Sequence, residues 1–143
     1  MTYLDLPPIW LVLCLMLARL VPLGLPWGAA FWPGAVLLML AVLLVLAALH
    51  AFFRARTTVI PHQQPSALIT SGVFRLTRNP IYLADVLILL GLSLIWGSLL
   101  GLLLVPALFV LLERRFILAE EARLMAAFPD AFAAYCKATR RWV

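Results

Sequence analysis

From Gly34 to Phe53 the chain runs with His50 as its only polar side chain. That is about twenty residues, the length a helix needs to cross the hydrocarbon of a bilayer. The whole chain carries the same bias. Its 143 residues are 66% hydrophobic and 12% charged, with a mean hydropathy of +1.09. A soluble domain is close to half apolar and about a quarter charged. A chain of this composition cannot cover its surface with polar groups, so residues 1–143 are expected to form one compact membrane domain. The net charge of +5 does not point to nucleic acid, because the basic residues flank apolar runs. They read as cytoplasmic flanking charge in contact with anionic lipid heads. Cys14 and Cys136 fall in an apolar run and in the tail, so neither a disulfide between them nor a metal site is expected. The first apolar stretch lacks the basic start and small-residue exit of a removable signal.

Four apolar runs organise the chain, at about 8–22, 34–53, 81–96 and 99–115. Trp10 and Arg19 sit toward the ends of the first, Arg19 reading as a snorkelling anchor. The link Pro22 to Gly28 breaks any helix, and Trp27, Phe31 and Trp32 read as an interfacial aromatic belt. His50 and His62 stand alone, a helix-end and a loop histidine. The third run opens on Asn79-Pro80, a capping residue followed by a proline at the first helical position. Trp96-Gly97-Ser98 is a short turn, so the third and fourth runs form an antiparallel hairpin. The fourth, which Pro106 is expected to kink, meets no polar break before Glu113-Arg114-Arg115. One helix therefore continues to about Ala127 and ends at Phe128-Pro129-Asp130. An amphipathic piece, Ala131 to Lys137, precedes the basic end Arg140-Arg141-Trp142.

Arginine placement orients the spans. Arg54, Arg56, Arg75 and Arg78 lie in segment 54–80; Arg114, Arg115, Arg123, Lys137, Arg140 and Arg141 lie toward or in segment 116–143. Arg19 alone marks the opposite interface. Segments 54–80 and 116–143 are thus expected in the cytoplasm, with both termini inside. The expected fold is all-α: a multi-pass protein with four transmembrane helices and a cytoplasmic C-terminal helical tail.

Two polar clusters then share one side of the membrane. The first is Thr70 to Tyr82. Gly72 allows a tight turn, and Asn79-Pro80 opens a helix whose first N–H groups have no partner within it, a setting that binds carboxylate or phosphate. It also reads as a juxtamembrane loop whose arginines meet lipid phosphates. The second is Glu120-Glu121. Adjacent residues on a helix face different ways, so one carboxylate can point inward and the other toward solvent or an arginine. On its own the pair reads as a solvated helix, with Glu120 beside Arg123. Asp85, one turn beyond Tyr82, is an ionisable residue inside an apolar run and so a candidate for function or for pairing with Arg78 or Tyr82. No Gly-rich phosphate loop, nucleophile elbow or His/Cys cluster is present.

The order of these pieces carries a resemblance. Arg78-Asn79-Pro80-Ile81-Tyr82 resembles the R-H-P-x-Y motif of integral membrane methyltransferases related to isoprenylcysteine carboxyl methyltransferase and phosphatidylethanolamine methyltransferase. Leu68 to Phe74 is similar to their L-V-T-x-G-x-Y lead-in. Glu120-Glu121 and Leu124, followed by Phe128, Ala131-Phe132 and Tyr135, resembles their E-E-x-x-L tail motif, and Thr57-Thr58-Val59 with Pro61 resembles the loop of small bacterial members. The resemblance implies an enzyme of a bacterial inner membrane that binds S-adenosylmethionine at the cytoplasmic face. It implies that Ser66, Ala67, Leu68, Ile69, Phe74, Asn79, Pro80, Ile81, Tyr82 and Glu120 line the cofactor site, with Arg115 or Arg114 facing the acceptor. Asn79 stands where the family usually has His, Phe74 where it has Tyr, Ala84 and Pro129 where it has Gly. Asn79 keeps hydrogen-bonding capacity but cannot move protons near neutral pH.

The implied reaction is methyl transfer to a lipophilic acceptor among the membrane lipids, a prenylcysteine-like carboxylate or a phospholipid-type amine. It asks the protein mainly to align two reactants and exclude water. An amine acceptor needs a base to stay neutral, and Asp85 or Glu121 is the candidate. Two other readings remain at this stage: an NADPH-dependent membrane reductase, for which the short tail leaves little room, and a non-catalytic lipid-binding accessory protein, favoured by Asn79 and Phe74.

Overall fold

A computed structural model describes residues 6–20, 30–55 and 67–143. Ser66, His62, Arg56, Trp27, the Pro22–Gly28 link and the Thr57–Pro61 loop lie outside the described residues. The regular elements described are helical: α1 (Pro7–Leu20), α2 (Phe31–Ala55), a 3-10 turn (Gly72–Arg75), α3 (Pro80–Trp96), α4 (Leu99–Leu112), a π turn (Glu113–Ile117), α5 (Leu118–Ala127) and α6 (Pro129–Ala138).

Small residues fix how α2 and α3 meet. The buried positions of α2 are Gly34, Ala41 and Ala48, seven residues apart, so they form one seam. A Cβ on Gly34 would lie 2.6 Å from the Gly91 carbonyl oxygen, and one on Gly91 would lie 2.9 Å from that of Gly34. The two backbones therefore touch, as small residues permit at helix crossings in membranes. Much of the rest of α2 is an open apolar face, with Val36, Met39, Leu43, Leu46 and Phe53 exposed. Contact with lipid is what such a face requires.

The hairpin between α3 and α4 forms as expected. Gly97 ends α3 in the left-handed conformation (φ 62°), which glycine adopts without strain. Ser98 then caps α4 by accepting from the Gly101 N–H at 3.1 Å and donates to the Ala18 carbonyl at 2.7 Å. That second bond ties α1 to the hairpin. A core of Leu11, Tyr82, Val86, Leu89, Leu108, Leu112, Phe116 and Ile117 fills the space between α1, α3 and α4. A second cluster joins Ala48, Phe74, Phe132 and Tyr135 and so fastens α6 to the 3-10 turn and the end of α2.

Among the described residues one helix, Phe31–Ala55, is long and apolar enough to cross a membrane. The runs expected at 8–22, 81–96 and 99–115 form helices of 14, 17 and 14 residues, below the roughly 20 a perpendicular span uses. Four spans do not follow from these lengths. The helix expected to continue to Ala127 does so, but through a π turn rather than a regular register. Cys14 and Cys136 are free.

Candidate active site

The two polar clusters of the sequence meet beside the start of α3. Pro80 occupies the first turn of that helix, where its missing N–H leaves nothing unsatisfied. Tyr82 and Asp85 follow at a spacing of three, so they share a face. Across from them α5 presents Glu120. The Tyr82 hydroxyl donates to Glu120 Oε1 at 2.6 Å, a short bond to a charged acceptor of the strong class. Behind it the Tyr82 ring stacks on Phe116, centroids 6.4 Å apart. Tyr82 and Glu120 wall a cavity of about 270 Å³, just below the roughly 300–1,000 Å³ of small-molecule sites.

The remaining walls come from four other places. Phe74 of the 3-10 turn and Phe52 of α2 form an apolar side, packed edge to face at 5.6 Å. Arg78, Asn79, Pro80 and Ile81 line the rim at the helix start, and Leu6, Pro7 and Pro8 close it from α1. Asp85 is buried on the cavity wall, and its Oδ2 has no hydrogen-bond partner among the described residues. A buried carboxylate oxygen is costly without a partner, so Asp85 either holds its own proton or takes a hydrogen-bond donor from a bound molecule.

Glu121 faces the other way. Its Oε1 lies 3.3 Å from Arg78 Nη2. Arg141 approaches it in a fork, Nε donating to Oε1 at 3.0 Å and Nη2 to Oε2 at 2.8 Å. The third nitrogen of that guanidinium donates to Glu113 Oε1 at 2.8 Å. These carboxylates, Glu121 first, push the Arg141 pKa still higher than usual. Arg78 also donates to Cys136 Sγ, and its guanidinium carbon lies 6.0 Å from the Phe132 ring. The Tyr135 hydroxyl donates to the Phe74 carbonyl, and burial pushes its pKa up to about 12.

Several expected site residues sit elsewhere. Asn79 lines the cavity but does not cap its own helix; its side-chain N–H donates to the Arg141 carbonyl at 3.0 Å. Among the described residues, Glu121, Arg115, Ala67, Leu68 and Ile69 do not line the cavity. Arg115 lies over the Trp10 ring at 5.5 Å, and Leu68 and Ile69 pack against the Phe74 cluster. Reasoning from sequence missed the α1 start, Phe52, Thr77, Glu113 and the basic end. Arg141-Trp142 was legible only as charge at a terminus, although an arginine beside a tryptophan can equally close a polar network.

The profile of the phospholipid methyltransferase family matches residues 29–131, well over half of the chain and both sides of this cavity. The chain belongs to that family. Its members are S-adenosylmethionine-dependent membrane methyltransferases that act on lipid. The chain is therefore a membrane enzyme of that class, and its apolar α2 face is accounted for. No curated protein and no solved structure matches the chain.

Proposed function

We propose that the cavity between α3 and α5 holds S-adenosylmethionine and that this methyltransferase methylates a lipid-borne acceptor, a phospholipid-type amine or a prenylcysteine-like carboxylate. The observation that carries the reading is the Tyr82–Glu120 bond across the cavity wall, because it joins two motifs that lie 38 residues apart. The chemistry of the walls suits the cofactor. Glu120 offers a carboxylate to ribose hydroxyls or an ammonium group, Phe74 and Ile81 offer apolar surface to an adenine ring, and Arg78 with the first turn of α3 offers positive charge to a carboxylate. Asp85 places negative charge where a cation is to be held.

When bound, S-adenosylmethionine supplies a methyl group already activated by its sulfonium. The chain's own work is to hold, orient and keep dry. Tyr82 fixes the Glu120 carboxylate, and Phe116 behind it keeps the tyrosine in place. Asp85 takes the proton of an amine acceptor; a carboxylate acceptor needs no base. Glu121, held by two guanidinium groups, keeps Arg78 at the rim and is not the base. Arg115, over Trp10, meets the headgroup of an acceptor arriving from the α1 side. Four spans with both termini in the cytoplasm complete the reading and put the cavity at the cytoplasmic lip, where a lipid enters sideways.

Thermal unfolding in detergent tests it. S-adenosylhomocysteine at a hundred times its dissociation constant stabilises by about 2.7 kcal/mol through mass action, and NADPH does not stabilise. Label from the methyl group of the cofactor is expected in the lipid fraction. No stabilisation by S-adenosylhomocysteine, or stabilisation by NADPH instead, contradicts the proposal.

A further inference from the structure

We infer that Arg141 is a positioning residue of this enzyme: it clamps the C-terminal tail onto α3 and so sets the cavity rim. The inference rests on the cofactor reading above and adds a component outside the cavity. Three contacts define the clamp. The Arg141 guanidinium bridges Glu113 and Glu121, each at 2.8 Å. The Arg141 carbonyl accepts from Asn79 Nδ2 at 3.0 Å and from Thr77 Oγ1 at 3.2 Å. The preceding carbonyl, of Arg140, accepts from the Arg78 backbone N–H at 3.1 Å. Side chain and backbone of one residue thus join the α4–α5 helix to the residues that open α3.

Trp142 locks the tail end. Its indole N–H donates to Glu113 Oε2 at 2.8 Å, and its ring stacks on Phe109 with centroids 4.1 Å apart. Glu113 is therefore shared between Arg141 and Trp142, and neither can leave without disturbing the other.

The π turn makes the clamp geometrically possible. An α-helix turns about 100° per residue, so Glu113 and Glu120 would share a face in a regular helix and Glu121 would lie roughly 80° away. A π turn inserts about one extra residue into one turn. That insertion rotates the following helix back, so Glu113 and Glu121 face Arg141 together and Glu120 is left facing Tyr82. Pi turns occur frequently at functional sites, and here the turn allots one glutamate to the cavity and its neighbour to the clamp.

The consequence reaches Arg78 and Asn79, which both line the cavity. Arg78 is held by Glu121, whose other partner is Arg141. Asn79 is held by the Arg141 carbonyl. A lysine cannot replace Arg141 fully, because one ammonium group lacks the fork that reaches two carboxylates.

The test compares the full-length enzyme with Arg141→Ala, Arg141→Lys and Glu113→Gln, in detergent. Amide hydrogen exchange over residues 77–83 reads the rim directly, and calorimetry with S-adenosylhomocysteine reads its effect on the folded fraction. Arg141→Ala is expected to speed exchange over 77–83 at least tenfold and to weaken binding at least fivefold. Arg141→Lys is expected to recover part of both. Glu113→Gln, which leaves the Glu121 fork in place, is expected to give a smaller shift of the same kind and serves if Arg141→Ala does not fold. Unchanged exchange over 77–83 in the folded variants overturns the clamp. Faster exchange with wild-type affinity overturns its positioning role and leaves it a stabilising contact. If the unaltered enzyme binds no S-adenosylhomocysteine, the cofactor proposal falls, and the exchange rates still decide the clamp.

Discussion

The segment from Glu113 to Glu121 has two sides that work differently. On the cavity side Glu120 meets a neutral partner, the Tyr82 hydroxyl, and the adjoining Asp85 oxygen has no partner among the described residues. On the tail side Glu113 and Glu121 each meet a guanidinium group, and Glu113 also accepts from the Trp142 indole. Ion pairs that are satisfied within the protein stabilise an arrangement. Asp85 Oδ2, buried on the cavity wall with no hydrogen-bond partner among the described residues, can take a donor from a ligand. One helix thus carries a structural face and a binding face, separated by a single residue of rotation.

Deleting Arg114, an exposed residue of the π turn, strikes at both sides at once. It removes the extra residue and turns α5 by about 100°, taking Glu120 from Tyr82 and Glu121 from Arg141 together. Binding of S-adenosylhomocysteine is expected to fall at least a hundredfold, with a marked drop in thermal stability. A variant that binds normally would show that the register does not matter.

Glu120→Gln separates the sides. It keeps the shape but removes the charge from the cavity face. Hydrogen bonds to charged groups contribute about 1.5–3 kcal/mol, so affinity is expected to fall about tenfold to a hundredfold by calorimetry, with the unliganded melting temperature nearly unchanged. Asn79→Ala probes the junction of the two sides. It loses one hydrogen bond to the tail, worth about 1 kcal/mol, whereas Asn79→His retains a donor and is expected to bind at least as well as the unaltered protein. Equal loss in both variants would show that the site does not tolerate a ring there.

The smallest effect is one of pH. Tyr135 holds its proton more tightly folded than unfolded, with a folded pKa of about 12 against the ordinary 10. Its contribution is therefore complete below pH 10 and is lost as pH rises from 10 toward 12. Melting temperatures at pH 9 and pH 11 are expected to show this decline, and Tyr135→Phe is expected to reduce it.

Much of this was written in the sequence where the pattern was local. Apolar runs, the Asn79-Pro80 helix start, the Gly97 turn and the helix running past Glu113 are short-range signals, and the structure carries each of them. The splitting of Glu120 from Glu121 was legible too, because neighbours on a helix diverge. Helix spacing alone did not say which glutamate faces inward, since that depends on a π turn that no residue in Glu113–Ile117 advertises; the family resemblance alone pointed to Glu120. Asn79 reads as a helix cap because capping is its commonest local use; the tail carbonyl, 62 residues away, outcompetes its own helix. Trp142 and Arg141 were unreadable for the same reason: their partners lie at long range.

The central claim is that Tyr82 and Glu120 act as one unit in holding the cofactor. A double-mutant cycle on S-adenosylhomocysteine affinity, with Tyr82→Phe, Glu120→Gln and the pair, measures that coupling. The expected result is that the double variant binds little more weakly than Glu120→Gln alone, because either single change already removes the charge-assisted form of the shared bond. Losses that simply add, or affinities untouched by either change, would contradict it.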